Sequence, residues 1–350
     1  DFGLWVEPEM INVESNLYKE HPDWTMDIPG KNHAEGRNQR MLDLANPEVV
    51  DYMIASMSNL FASANIAYVK WDMNRIVSDC YSKYLPAERQ GETLHRYVLG
   101  LYRMMDELTK RFPEILFEGC ASGGNRFDLG ILCFFPQIWA SDNTDALYRV
   151  NGMTGYSYGY PMSVMGAHVS SCPNHQTLRT TPLETRFAVA AFGALGYECN
   201  LCDMKKEDLE GIRKQIALYK EWRNVLQYGT FYRGRNAKIH EWTCVSEDKR
   251  QAVGMIMQEL TQPNHPTGQY FPKGLDASAR YEFTNRSMRY NILGFGDLVN
   301  TVSPVHIKQD SLVHQVLAKC VTMPGETERY RASGSVLMAG VKLTQGFAAT

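Results

Sequence analysis

The chain has 350 residues, 44% hydrophobic and 21% charged, an ordinary globular composition with length enough for two domains. Its 36 Lys and Arg against 39 Asp and Glu leave a net charge of −3 and form no basic stripe, which argues against a nucleic-acid partner. No apolar run reaches the length of about 18 residues that a membrane-spanning helix needs.

The chain opens on Asp1-Phe2-Gly3-Leu4-Trp5-Val6 as if in the middle of a strand, and ends on Ala348-Ala349-Thr350 with no closing element. This pattern predicts an internal fragment of a longer protein. A polar loop over about 12–46 follows the first strand, and a loop of that length is usually functional. Asn46-Pro47-Glu48 then starts a helix: Asn caps, Pro suits the first helical position, and Glu favours the positive end of the helix dipole. Val50, Met53, Ile54, Met57, Leu60 and Phe61 carry it at helical spacing to about Ala64. A strand, Ile66–Asp72, comes next. A second helix is marked by Leu94, Tyr97, Val98, Leu101, Met105 and Leu108, and a strand by Ile115-Leu116-Phe117-Glu118. Further strands are predicted at Gln137–Ala140, near Ser163–Val169 and near Tyr197–Leu201. Between the last two lies a helix from Pro182 to about Leu195, with Thr181 and Glu184 as a capping box. A long amphipathic helix carries Leu209, Ile212, Ile216, Tyr219 and Leu226.

Strand and helix in repetition, with strands apolar throughout, mean a parallel sheet covered by helices. Polar residues cluster just after the strand ends, where a (β/α)₈ barrel builds its site. No G-x-G-x-x-G follows a strand, so the barrel is preferred to a dinucleotide-binding sheet. Six strands fall before residue 202, which predicts strands three to eight of a TIM barrel over 1–229. Beyond about 230, short alternating runs such as His240–Val245, Gln251–Met257 and Arg280–Phe283 are separated by turn residues, Pro263-Asn264-His265-Pro266 among them. They predict an antiparallel β-sandwich domain over 230–350.

The strand that ends Lys70-Trp71-Asp72-Met73-Asn74 turns from apolar to densely polar, which an unpaired buried carboxylate makes costly unless it serves a site. Asp72 and Asp142, two βα units apart, are the pair of strand-end carboxylates that glycoside hydrolysis uses. For Asp72 the bland alternative is an ion pair with Lys70 or Arg75; for Asp142 it is a helix cap. Trp5, Trp71 and Trp139 sit at strand ends and offer aromatic faces for a sugar, or plain core packing. Cys120-Ala121-Ser122-Gly123-Gly124 is a tight turn whose small residues let a ligand approach the backbone. Cys120 as a nucleophile has no His motif beside it. Arg37 is a candidate donor from the long loop. The eight Cys include one C-x-x-C, Cys199-Asn200-Leu201-Cys202, without the second pair a zinc ribbon needs. They read as reduced thiols of a cytoplasmic protein. No metal or cofactor motif is present.

Four segments in order resemble the α-galactosidases of glycoside hydrolase family 36: Gly3–Met10, Tyr68–Arg75, Cys120–Gly124 and Ser141–Asp145. Phe295–Asn300 and Pro304–Lys308 extend the resemblance into the C-terminal part. The resemblance implies a retaining mechanism, with Asp72 as nucleophile, kept ionised by Lys70, and Asp142 as general acid/base. It implies galactose contacts from Trp5, Arg37, Lys70, Asn74, Cys120 and Gly123, with Trp71 added from its place beside Asp72. The Cys of the turn would pack near the 2-hydroxyl and favour galactose over its 2-acetamido analogue. Substrates would be melibiose, raffinose and stachyose, and the full-length protein a homotetramer. An acidic pair and an N-terminal β domain that the family carries are absent from these residues, so weak or no activity is expected of this chain alone. An α-N-acetylgalactosaminidase, a galactosyl-transferring synthase and an inactive carbohydrate-binding homologue are the alternatives.

Overall fold

The computed structural model describes residues 1–236, 239–259, 269–287, 292–301, 303–322 and 326–343. They divide into two compact units, Asp1–Asp203 and Met204–Thr350.

The first unit is built on six strands: β1 (Phe2–Val6), β2 (Ile66–Trp71), β3 (Leu116–Gly119), β4 (Gln137–Trp139), β5 (Met165–Ser170) and β6 (Ala194–Glu198). They lie in chain order in one sheet, each parallel to the next. The sheet is curled into a half-barrel, as the strand-and-helix alternation predicts. Parallel neighbours need crossovers, and helices supply them. Four of the five carry α1 (Pro47–Ala62), α2 (Thr93–Arg111), α3 (Ala146–Tyr156) and α4 (Leu183–Ala190), and the one from β3 to β4 carries only the short helix Leu129–Leu132. The start of α1 is as its sequence dictates: the Asn46 side chain accepts the Glu48 N–H at 3.0 Å and Pro47 opens the first turn. Val49, Val50, Met53, Ile54 and Phe61 form its buried face. The long loop is partly ordered by a two-residue antiparallel pairing of Met10–Ile11 with Arg40–Met41.

The region after β5 departs from expectation. The helix ends at Ala190 rather than near 195, and no side chain caps it at Thr181 or Pro182. The strand then begins at 194, three residues early, and pairs Gly166–Ser170 with Ala194–Glu198. Ala188–Leu195 looks helical by composition, but Gly193 breaks it. A Cβ at Gly193 would stand 2.6 Å from the Met165 carbonyl oxygen, so the bare residue lets the backbone turn into the sheet. Pairing with β5 then outweighs local helix propensity.

In the second unit, helix α5 (Lys206–Tyr228) packs on an antiparallel sheet of β7 (Thr230–Asn236), β8 (Ile239–Val245) and β9 (Ala252–Gln258). Two more antiparallel pairs join Gln269–Tyr270 to Val341–Lys342 and Arg280–Thr284 to Arg329–Ser333. Val245, Leu275, Leu337 and Val341 form a small core there. The expected antiparallel strands are present. A helix the sequence reading did not predict, Leu312–Cys320, accompanies them, its first turn capped by Ser311, which accepts the His314 N–H at 3.3 Å. The motif at Phe295–Asn300 lies in Ile292–Thr301, two short helical turns broken by a kink at Gly296, and Asn300 accepts the Ile307 N–H at 2.7 Å, tying it to the second motif. The predicted break at Pro263–Pro266 lies outside the described residues.

Candidate active site

Parallel register brings the ends of β1 to β4 side by side: Val6 stands opposite Trp71, Trp71 opposite Gly119, and Gly119 opposite Ile138. The pairing continues past the strands, with Asp72 N–H donating to the Val6 carbonyl at 2.9 Å and Cys120 N–H to the Trp71 carbonyl at 2.8 Å. The candidate residues of four separate segments thus meet at one rim of the sheet.

Asp72 is buried and ringed by donors. Its Oδ2 accepts Asn74 Nδ2 at 2.7 Å and the Trp5 indole N–H at 3.2 Å; its Oδ1 accepts the Met73 N–H at 2.8 Å. Burial pushes its pKa up, but hydrogen bonds from Asn74, the Cys120 thiol, the Met73 backbone and Trp5 outweigh it and hold the carboxyl below its ordinary value. Lys70, expected to supply that effect, is engaged elsewhere: its Nζ lies 3.6 Å from Glu118 Oε1 and 4.4 Å from the centre of the Trp139 ring. Arg75 is turned to the long loop, where its guanidinium donates to the Ala34 carbonyl. Neither cation forms the ion pair with Asp72 that was the bland alternative. The Cys120 thiol is pushed up to about 12, first by burial, so it is a neutral donor to Asp72 and not a thiolate nucleophile.

Asn74 links this centre to the loop. Its amide also donates to Glu7 Oε1, and its Oδ1 accepts Ser122 Oγ at 2.9 Å. Glu7 in turn accepts Arg37 Nη1 at 3.1 Å and Gln39 Nε2 at 2.8 Å. Arg37 and Asn38 both have positive φ, 56° and 58°, in a tight turn closed by Gly36 and Gln39. A left-handed arginine is uncommon and marks a constrained loop. It leaves the Arg37 side chain half exposed beside Glu7.

Asp142 follows β4, and its Oδ1 accepts the Trp139 indole N–H at 2.9 Å. The helix cap is a different residue: Asp145 accepts the Leu147 N–H at 2.9 Å and pairs with Arg179 at 2.7 Å. Asp142 is therefore released from capping. Its backbone packs on the turn after β3: a Cβ on Gly123, whose φ is +84°, would stand 3.0 Å from Ser141 Cα and 3.2 Å from Asp142 N. One turn thus touches both carboxylate segments, through the Cys120 thiol and through Gly123. Arg149, from α3, holds the Asp142 segment by donating to the carbonyls of Ser141 and Asn143, and lies 4.4 Å from the Trp139 ring centre. Burial lowers its pKa to about 10, which leaves it charged near neutrality.

This geometry corrects the assignment of Trp71 and decides for core packing at Trp139, where both readings stood open. Trp71 is wholly buried, packs on Phe135 at 5.5 Å and donates its indole N–H to Glu9 Oε1 at 2.9 Å, so it presents no face to a sugar. Trp139 is likewise buried between Lys70 and Arg149. Trp5, 49% exposed, keeps a free face. Four residues with evident parts here had no assignment: Glu7, Glu9, Ser122 and Arg149. Glu9 is wholly buried and gathers Trp71, Arg126 Nη1 at 2.7 Å and the Tyr97 hydroxyl at 2.6 Å. The signal was available, since two acids directly after an apolar strand in Val6-Glu7-Pro8-Glu9 repeat the pattern that singled out Asp72.

The arrangement offers an ionised, donor-held carboxylate and a second carboxyl borne on the strand end next but one in the sheet. Such a set can carry out displacement at an acetal carbon with acid–base assistance.

Comparison with known proteins bears on this site. The Melibiase family model matches residues 1–229, and the model of the glycosyl hydrolase family 36 C-terminal domain matches 239–347. The chain is 48% identical over 287 residues to α-galactosidase AgaA of Geobacillus stearothermophilus, covering 80% of this chain and 39% of that protein. It is 47% identical over 283 residues to α-galactosidase Mel36A of Lactobacillus acidophilus, again with 80% and 39% covered. The crystal structure of AgaA superposes with a TM-score of 0.80 at 41% identity, covering 95% of this chain and 44% of that one. A variant of AgaA solved in complex with raffinose gives 0.79 at 47% identity, covering 80% and 40%. The chain spans about two fifths of the length of these relatives.

Proposed function

The chain belongs to the Melibiase family, and on that premise we propose that the protein it forms part of is a retaining α-galactosidase. It removes terminal α-D-galactosyl residues from oligosaccharides of the melibiose, raffinose and stachyose type. The reading is supported by relatives named α-galactosidase and by AgaA variants solved with raffinose and with stachyose. The observation that carries it is the state of Asp72: buried, yet held ionised by hydrogen bonds alone.

Asp72 attacks the anomeric carbon of the galactoside while Asp142 gives its proton to the departing oxygen. Asp142 then takes a proton from water, which attacks the galactosyl ester on Asp72. Two inversions leave the α configuration. The donors that hold Asp72 are released as its charge moves into the new ester bond, and they recapture the carboxylate at the second step. Trp5, Arg37, Lys70, Asn74, Cys120 and Gly123 are the galactose contacts in this reading. The catalytic part is residues 1–229, and 230–350 a β domain. We further assign the whole protein to a homotetramer in the cytoplasm; no disulfide joins its eight cysteines among the described residues, and no described helix is long and apolar enough to cross a membrane.

Proton NMR of raffinose turnover by the complete protein tests the reaction. Hydrolysis with retention gives α-galactose as the first product. β-Galactose first, or galactosyl transfer to sugar in place of water, would count against it and in favour of an inverting enzyme or a synthase.

A further inference from the structure

The mechanism above makes no use of one wholly buried carboxylate. Glu118 stands on β3 two residues before Cys120, on the same face of the sheet and one layer deeper. Its Oε1 accepts no hydrogen bond among the described residues and faces Lys70 Nζ at 3.6 Å; its Oε2 is bonded by the Gln137 amide. The Tyr68 hydroxyl borders it, its ionisation opposed first by burial and then by the Glu118 charge. A Cβ on Gly166 would stand 2.9 Å from Glu118 Oε2, so a bare residue on β5 makes room for the carboxylate.

Taking a carboxylate to this depth costs several kcal/mol of hydration, which pairing with Lys70 at 3.6 Å and the Gln137 amide must offset, and a glutamine would fill the space without that cost. The charge therefore has work that shape does not supply. Its partner, Lys70, is a long flexible side chain that needs fixing if its ammonium is to serve as a contact. Glu118 fixes it from below and the Trp139 ring from the side, at 4.4 Å. The same Trp139 donates to Asp142 at 2.9 Å.

We propose that Glu118 is a positioning residue for galactoside cleavage: its buried charge holds the Lys70 ammonium against Trp139, between the Asp72 and Asp142 segments. The proposal rests on the reading of Lys70 as a galactose contact. Glu118 acts through Lys70 and touches no substrate.

A double-mutant cycle in the complete protein tests this with nitrophenyl α-galactoside. Glu118→Gln is expected to lower kcat/KM about 10- to 100-fold, the scale of a misplaced contact. Lys70→Met should cost at least as much. With Lys70 already gone, Glu118→Gln should cost no more than about twofold further, because its route to the site is removed. Stability supplies a second reading. Lys70→Met strands a buried charge and lowers Tm, and adding Glu118→Gln raises Tm again. Losses that multiply, or a double variant that melts below Lys70→Met, overturn the proposal. If Lys70→Met keeps full activity, the contact reading of Lys70 fails and the proposal with it, and the Tm cycle identifies that case separately. Should Glu118→Gln alone not fold, Lys70→Met and the double variant carry the test through the sign of the Tm change.

Discussion

Asp72 is kept ionised by donors rather than by a neighbouring cation, and the pH dependence of the fold should show it. Its carboxyl lies below the ordinary value when folded, so the unfolded chain takes up the proton first as the solution is acidified. The group thus adds stability above the unfolded carboxylate pKa of about 3.9, and the contribution is lost as pH falls through the lower folded value. Melting curves of wild type and Asp72→Asn should accordingly converge as pH is lowered below about 4, the wild type losing more than the variant. Gly123 is a second residue whose state can be tested. Its φ of +84° and the 3.0 Å approach to Ser141 leave no room for a Cβ. Gly123→Ala should cost about 1–2 kcal/mol from backbone strain. By moving the Asp142 segment it should also lower kcat by about tenfold or more, read from steady-state rates beside Tm. Asp72 was legible because its polarity breaks an apolar strand. Trp71 was misread because adjacency was taken for shared orientation. Side chains alternate along a strand, so Lys70 and Asp72 share one face and Trp71 faces the other, toward Phe135. The donors to Asp72 come from residues up to 67 positions away, and no local pattern announces them.

At the scale of elements, the site depends on helices that lock the strands at their ends. Helix α2 lies so close to the loop before α1 that a Cβ on Gly100 would fall on the Leu44 carbonyl oxygen. A backbone atom cannot yield as a side-chain tip can. Gly100→Ala, ordinarily a gain in helix propensity of about 1 kcal/mol, should here destabilise by about 1–3 kcal/mol, as overpacked interiors do. Chemical denaturation measures the sign, and a stabilised variant would show that the helix shifts freely. The strand-and-helix order was readable because period and capping act locally, as Asn46 and Pro47 show at α1. The end of α4 was not, because sheet pairing of Ala194–Glu198 with Gly166–Ser170 decides where the strand begins. The helix Leu312–Cys320 escaped notice for a related reason. It spans nine residues, and although Leu312, Val313, Val316 and Leu317 recur at helical spacing, the run is too short for its period to tell it from a strand.

For the whole molecule, a sheet of six parallel strands in chain order sets four polar strand ends side by side and leaves the chemistry to loops. That layout was predictable from apolar strands that turn polar at their ends. The network linking Glu7, Asn74, Ser122 and Asp72 was not, since it forms only when β1, β2 and the turn after β3 are brought together. The second unit keeps its own small core around Val245 and Leu337 and was recognised by texture and by the motifs at Phe295–Asn300 and Pro304–Lys308. Everything proposed about catalysis turns on Asp72. Its replacement by Ala in the complete protein, assayed on a nitrophenyl α-galactoside with Tm recorded beside it, is the direct measurement. The account predicts a folded protein whose turnover falls by about 10³-fold or more. Turnover within a few-fold of wild type would contradict it.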